Sequence, residues 1–145
     1  MPIYLGYAAS ISDPLERLKM VMVQSVNWYY HTVIFEKPLN PILGETFEAV
    51  GQDGAKIFME QTSHHPPRSH FLIEGPNDSY KFTGWYEFAI RSGMTSSKVE
   101  PQGYNKVVFK DGQTITFGHH SDLFFNILKG PISHQIIGKR EYRDE

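Results

Sequence analysis

The chain has 145 residues, 40% hydrophobic and 21% charged, with a formal net charge of -2 at pH 7 and no cysteine. A chain of that length buries roughly 68–70% of its unfolded surface, so it can build a core, and it is too apolar to stay disordered. The charge balance excludes a global basic field for nucleic acid or for an anionic membrane, and the lack of thiols excludes disulfides and thiolate zinc sites. Aromatic residues make up 14% of the chain, and such residues suit pleated, half-buried surfaces, which points to a β-rich fold.

Residues 1–11 are weakly patterned and read as an extended lead-in. They carry no basic segment followed by a long apolar run, so they do not resemble a secretory signal. Nowhere does the chain approach the ~20 consecutive apolar residues of a membrane-spanning helix. The expectation is a soluble cytoplasmic protein whose membrane contact is peripheral. Ser12-Asp13-Pro14-Leu15-Glu16 reads as a helix start, with Asp13 as cap, Pro14 at the first helical position and Glu16 three residues after the cap. Leu15, Leu18, Met22, Val26 and Tyr29 follow at spacings of three and four, which predicts an apolar stripe on a helix over roughly residues 14–30.

From residue 45 the period changes to two. Strands are expected over Thr46–Val50, Ala55–Gln61, His70–Glu74, Tyr80–Ile90, Asn105–Lys110 and Gln113–Phe117. Turns are expected at Gly51–Gly54, Gly75–Ser79 and Asp111-Gly112, with a loop or a widened turn over Arg91–Lys98. Six strands joined by tight turns make an antiparallel meander with two free edges, which the helix, further sequence or a second copy should cover. Leu123–Leu128 is apolar and Gly130-Pro131 breaks the pattern.

Two segments carry chemistry. In Glu60-Gln61-Thr62-Ser63-His64-His65-Pro66-Pro67, two adjacent imidazoles leave a strand and meet two prolines that cannot continue a ladder. Adjacent strand residues point to opposite faces, so the pair chelates a metal poorly. As an acid or base it lacks a partner, because no nucleophile motif stands nearby and no catalytic residue can be named. Protonated imidazoles do suit an oxyanion, and purely structural histidines are the remaining reading. In Glu36–Phe47, Pro38, Pro41 and Gly44 stiffen a connection that carries the cation Lys37 and the amide Asn40. That segment serves either as an ordered helix-to-sheet link or as a preorganised set of donors. A second pair, His119-His120, has no proline lock and reads as surface or turn residues. Phe124-Phe125 reads as core or cavity wall.

The string Glu60–Pro67 resembles the E-Q-x-S-H-H-P-P fingerprint of the oxysterol-binding protein family in full. Lys37–Phe47 resembles the same family's K-P-x-N-P-x-L-G-E-T-F segment, in the right order upstream. Looser similarity runs through the Leu15–Tyr30 helix, Val99–Gly103 and Asn126–Gly130, so the resemblance spans about residues 13–130. It implies an antiparallel meander, preceded by a helix, that forms part of an incomplete lipid-binding β-barrel. It further implies a tunnel that takes phosphatidylinositol 4-phosphate or, alternatively, a sterol or other lipid. The headgroup contacts it implies are Lys37, Asn40, His64 and His65, with no catalytic residue, metal or cofactor. Residues 1–145 then read as the front half of one lipid-binding domain, completed by further sequence or by self-association. The expected function is lipid transfer between membranes, and the alternative is a phosphoinositide-sensing module that extracts no lipid.

Overall fold

The structure is a computed structural model that describes residues 3–27, 29 and 40–145. Two helices open the chain, α1 over Ile3–Ala9 and α2 over Pro14–Asn27. The expected extended lead-in is therefore a helix. Its signal is short: Leu5 and Ala8, three residues apart, are the two positions it buries. The start of α2 follows the sequence expectation, with the Glu16 amide donating to Asp13 Oδ1 at 2.9 Å.

The face that α2 buries is not the predicted stripe. Leu15, Met22 and Val26 are exposed, whereas Arg17, Val21, Gln24 and Ser25 are buried. Arg17 explains the rotation. Its guanidinium donates to the carbonyl of Ala8 and twice to that of Ile11, donates to Gln113 Oε1 at 2.8 Å, pairs with Asp111 at 2.6 Å, and lies over the Phe109 ring. A charge can be buried when it is satisfied on every side. Here that network ties α1, α2 and the following sheet together, and it outweighs the aliphatic stripe.

Among the described residues the sheet is antiparallel and has nine strands: β1 Thr46–Val50, β2 Lys56–His64, β3 Pro67–Glu74, β4 Tyr80–Ser92, β5 Ser96–Phe109, β6 Thr114–Phe117, β7 Ser121–Phe125, β8 Ser133–Ile137 and β9 Tyr142–Asp144. The long β5 pairs with β6 through Asn105–Val108 and with β7 through Ser96–Val99, so β6 and β7 form one interrupted rung. β8 and β9 form the next, on β7 and β6 respectively. The expected turns are all present; Gly112 has φ +96°, and the Gln113 amide donates to Asp111 Oδ1. The stretch Arg91–Lys98, expected as a loop or a widened turn, turns in a narrower span: β4 and β5 pair as far as Ser92 opposite Ser97, and residues 93–95 make the turn.

Register sorts the side chains. Ile57, Met59, Phe71, Ile73, Tyr80, Phe82, Val107, Phe109, Ile115 and Phe117 share one face, and the core gathers there beneath Leu5, Ala8 and Val21 of the helices. Farther along the same face, among the described residues, α1 and α2 give no cover, and Phe88, Ile90 and Ile136 are exposed. The result is an open sheet with an apolar inner wall, half covered. None of the described helices is long and apolar enough to cross a membrane.

Candidate functional site

The fingerprint occupies the end of β2 and its turn into β3. Pairing slips by one residue at Thr62, between Gln61 opposite Ser69 and Ser63 opposite Arg68. The extra residue is anchored: Thr62 Oγ1 lies 2.8 Å from His70 Nδ1 and donates to the Arg68 carbonyl. On the other side Gln61 is buried and accepts from the Ser69 hydroxyl. A bulge held on both faces re-aims the residues after it. His64 and His65 emerge next, both exposed, with ring centroids 4.7 Å apart in an edge-to-face arrangement, and the His65–Pro66 peptide is cis. Within the fingerprint, Gln61 and Thr62 build the support and the two imidazoles are what it presents. Beside it, Arg68 lies over Trp85 and forms a two-pronged pair with Glu87 Oε2 at 2.7 and 2.9 Å.

The upstream segment reaches the same end of the sheet. The Gly44 amide donates to the Gln61 carbonyl at 2.8 Å, and the Gln61 amide donates to that of Glu45 at 3.0 Å. Glu45 also caps its own turn, its carboxylate accepting from the Ile42 amide at 2.9 Å. A recess of about 100 Å³ lies between Pro41, Glu45, Gln61, Ser69 and Tyr86. Asn40, immediately before Pro41, is exposed. Lys37 lies outside the described residues. The loop therefore joins β2 three residues before His64, and Asn40, His64 and His65 belong to the same end of the sheet.

The second histidine pair is not the surface feature expected. His119 and His120 fall in the break between β6 and β7, as turn residues would, but both are half-buried. His119 Nε2 donates to the Trp85 carbonyl at 3.1 Å, which leaves Nδ1 to accept from Asn105 at 3.4 Å. Burial pushes the His119 pKa below its usual 6.5, with Arg140 and His120 adding to the effect. Arg140 donates to His120 Nδ1 at 2.7 Å and to the Ser25 carbonyl at 3.3 Å, and it lies over the rings of Tyr29 and Phe117. Asp122 accepts from His134 at 2.7 Å. Its burial is outweighed by the neighbouring His120 and His134, and its carboxyl stays below the usual range. A recess of about 100 Å³ opens between Gln24, Tyr29, Asn105, His119 and Arg140. The sequence hint of all this is slight. Only three residues separate Phe117 from the next strand, too few for the pair to sit in an open loop. Among the described residues no group of three histidine, cysteine, aspartate or glutamate side chains is placed to hold a metal ion. Of the two phenylalanines expected as core or cavity wall, Phe124 is half-buried and stacks on His134 at 4.7 Å, whereas Phe125 is exposed on the opposite face of β7.

A family model described as oxysterol-binding protein matches residues 3–145. Oxysterol-binding protein 9 of Dictyostelium discoideum is 38% identical over 146 residues, covering 99% of this chain and 34% of that protein. Among solved structures, the Osh1 ORD domain in complex with ergosterol superposes with a TM-score of 0.89 at 28% identity, over 97% of this chain and 35% of the Osh1 chain. The Osh3 ORD of Saccharomyces cerevisiae, solved in complex with PI(4)P, has the same fold, with a TM-score of 0.81 at 22% identity. The chain thus spans about a third of the length of these relatives. With a family model matched from residue 3 to residue 145, this chain belongs to the oxysterol-binding protein family.

Proposed function

We propose that the chain binds a membrane lipid by its phosphorylated headgroup and shields the apolar part against the inner wall of the sheet, and so moves lipid between membranes. The observation that carries this reading is the end of β2, where a bulge anchored on both faces holds two exposed imidazoles side by side. Protonated imidazoles are donors at both nitrogens, and a phosphate beside them favours that form. Asn40 adds amide donors, and Lys37 is assigned a phosphate contact from the family pattern. The preferred headgroup is phosphatidylinositol 4-phosphate. The alternative cargo is a sterol, in line with the ergosterol held by the Osh1 domain. Competition of two lipids for one wall makes transport directional without a covalent step. The protein works at cytoplasmic membrane surfaces, in peripheral contact.

His64→Ala combined with His65→Ala tests the site. Both side chains are exposed, so the fold should survive, while binding to phosphatidylinositol 4-phosphate vesicles should fall at least tenfold. Binding of the unaltered chain should also weaken with salt. Full retention of headgroup binding in the double variant would reject the assignment.

The uncovered stretch of inner wall at Phe88, Ile90 and Ile136 favours a second reading, recognition of the headgroup without extraction of the lipid. Stoichiometric removal of labelled lipid from vesicles supports transfer; binding to vesicles with no removal supports sensing.

A further inference from the structure

The two ends of the sheet differ in chemistry. Strand pairing puts the turns β1–β2, β3–β4 and β5–β6 at one end. Their sequences are polar and carry Asp53, Asp78 and Asp111. At the opposite end lie the turn before β1, the β2–β3 turn with His64 and His65, the β4–β5 tip and the β7–β8 loop. There, beside the exposed His64 and His65, three of the four turns present exposed apolar side chains, whereas the polar end presents one such side chain, Val50 at the end of β1. Ile42 is 70% exposed, Leu43 64%, Met94 85% and Leu128 73%. The β4–β5 and β7–β8 tips are tied together, the Ile127 amide donating to the Thr95 carbonyl at 3.3 Å. Two cations flank them: Arg91, exposed and paired with Glu100, and Lys129, exposed and without an acidic partner among the described residues.

Protruding apolar side chains on separate turns are costly in water and are not a flat patch that another folded surface could match. A lipid interface makes no demand of shape, takes isolated aliphatic side chains into its acyl boundary, and offers phosphates to flanking cations. We propose that this end of the sheet is the membrane-docking surface: Ile42, Leu43, Met94 and Leu128 enter the bilayer interface, and Arg91 and Lys129 meet anionic headgroups. The inference rests on the headgroup reading above for its orientation, since docking there brings His64 and His65 down to the lipid they are to grip.

Because the chain has no cysteine, single labels are straightforward. Met94→Cys, Leu128→Cys and, at the polar end, Gln52→Cys are each labelled with an environment-sensitive fluorophore. They are mixed with phosphatidylcholine vesicles containing phosphatidylserine but no phosphoinositide. The expected result is a blue shift and a several-fold gain in intensity at positions 94 and 128, and none at 52. Met94→Asp with Leu128→Asp should lower cosedimentation with these vesicles at least tenfold, with an unchanged far-ultraviolet dichroism spectrum. His64→Ala with His65→Ala should keep the signals at 94 and 128 and lose only the extra binding conferred by added phosphatidylinositol 4-phosphate, so the two proposals fail separately. Labels at 94 and 128 that stay unshifted on these vesicles would overturn the docking surface. So would a blue shift that grows with protein concentration in the absence of vesicles, which would assign this end to a second copy of the chain.

Discussion

His119 has both ring nitrogens committed, one donating to the Trp85 carbonyl and one accepting from Asn105, and its environment holds the pKa below 6.5. The native state therefore resists protonation where the unfolded chain accepts it. Its contribution to stability is complete above 6.5 and declines as pH falls below that value. Asp122 does not reverse the trend in this window, because its lowered pKa keeps it ionised until far more acidic conditions. Melting temperature should be lower at about pH 5.5 than at about pH 7.5, and His119→Gln should shrink the difference. An equal difference in the variant would assign the pH dependence to other groups. At this scale the sequence was informative wherever a residue's role is local. Asp13 caps its helix as expected, and His64 and His65 leave the strand as expected. Arg17 was illegible, because its partners Gln113 and Asp111 lie more than ninety residues away.

Among the elements, the β4–β5 pair shows how geometry overrules composition. Ser, Gly and Thr between Arg91 and Lys98 suggest a loop or a widened turn, yet cross-strand pairing continues almost to the tip, with Glu100 joined to both Arg91 and Lys98. Within this pair Gly103 has φ +122°, and a Cβ there would stand 2.0 Å from the Trp85 carbonyl oxygen. At Gly112, φ +96°, the same Cβ meets nothing within 4 Å. Gly103→Ala should thus cost about 3 kcal/mol or more, combining strain with displacement of a central strand. Gly112→Ala should cost only about 1–2 kcal/mol from the left-handed backbone. Chemical denaturation of both variants checks the contrast. The apolar stripe on α2 is the mirror case: its 3.6 period is real and predicts a helix correctly, but periodicity does not say which face meets the sheet, and the Arg17 network decided that.

At the scale of the molecule, the helices cover one part of the inner wall and leave Phe88, Ile90 and Ile136 in solvent. Uncovered apolar surface of this kind recruits lipid, dye or protein. A hydrophobic fluorophore should brighten several-fold on the chain, and Phe88→Ser with Ile90→Ser should remove most of that gain. An unchanged signal in the variant would place the apolar site elsewhere. By itself the sequence determined the mainly antiparallel β architecture, the α2 start, the three tight turns and the two family segments. Each of these depends on residues close together in the chain, on spacing, capping and backbone chemistry. Only the tertiary structure decided which face of α2 is buried, that the His119-His120 pair packs inward against Arg140, and that the turns divide into a polar end and an apolar end. Those outcomes rest on contacts between residues distant in sequence, where burial and charge satisfaction are settled jointly by the whole sheet and no local pattern records the result.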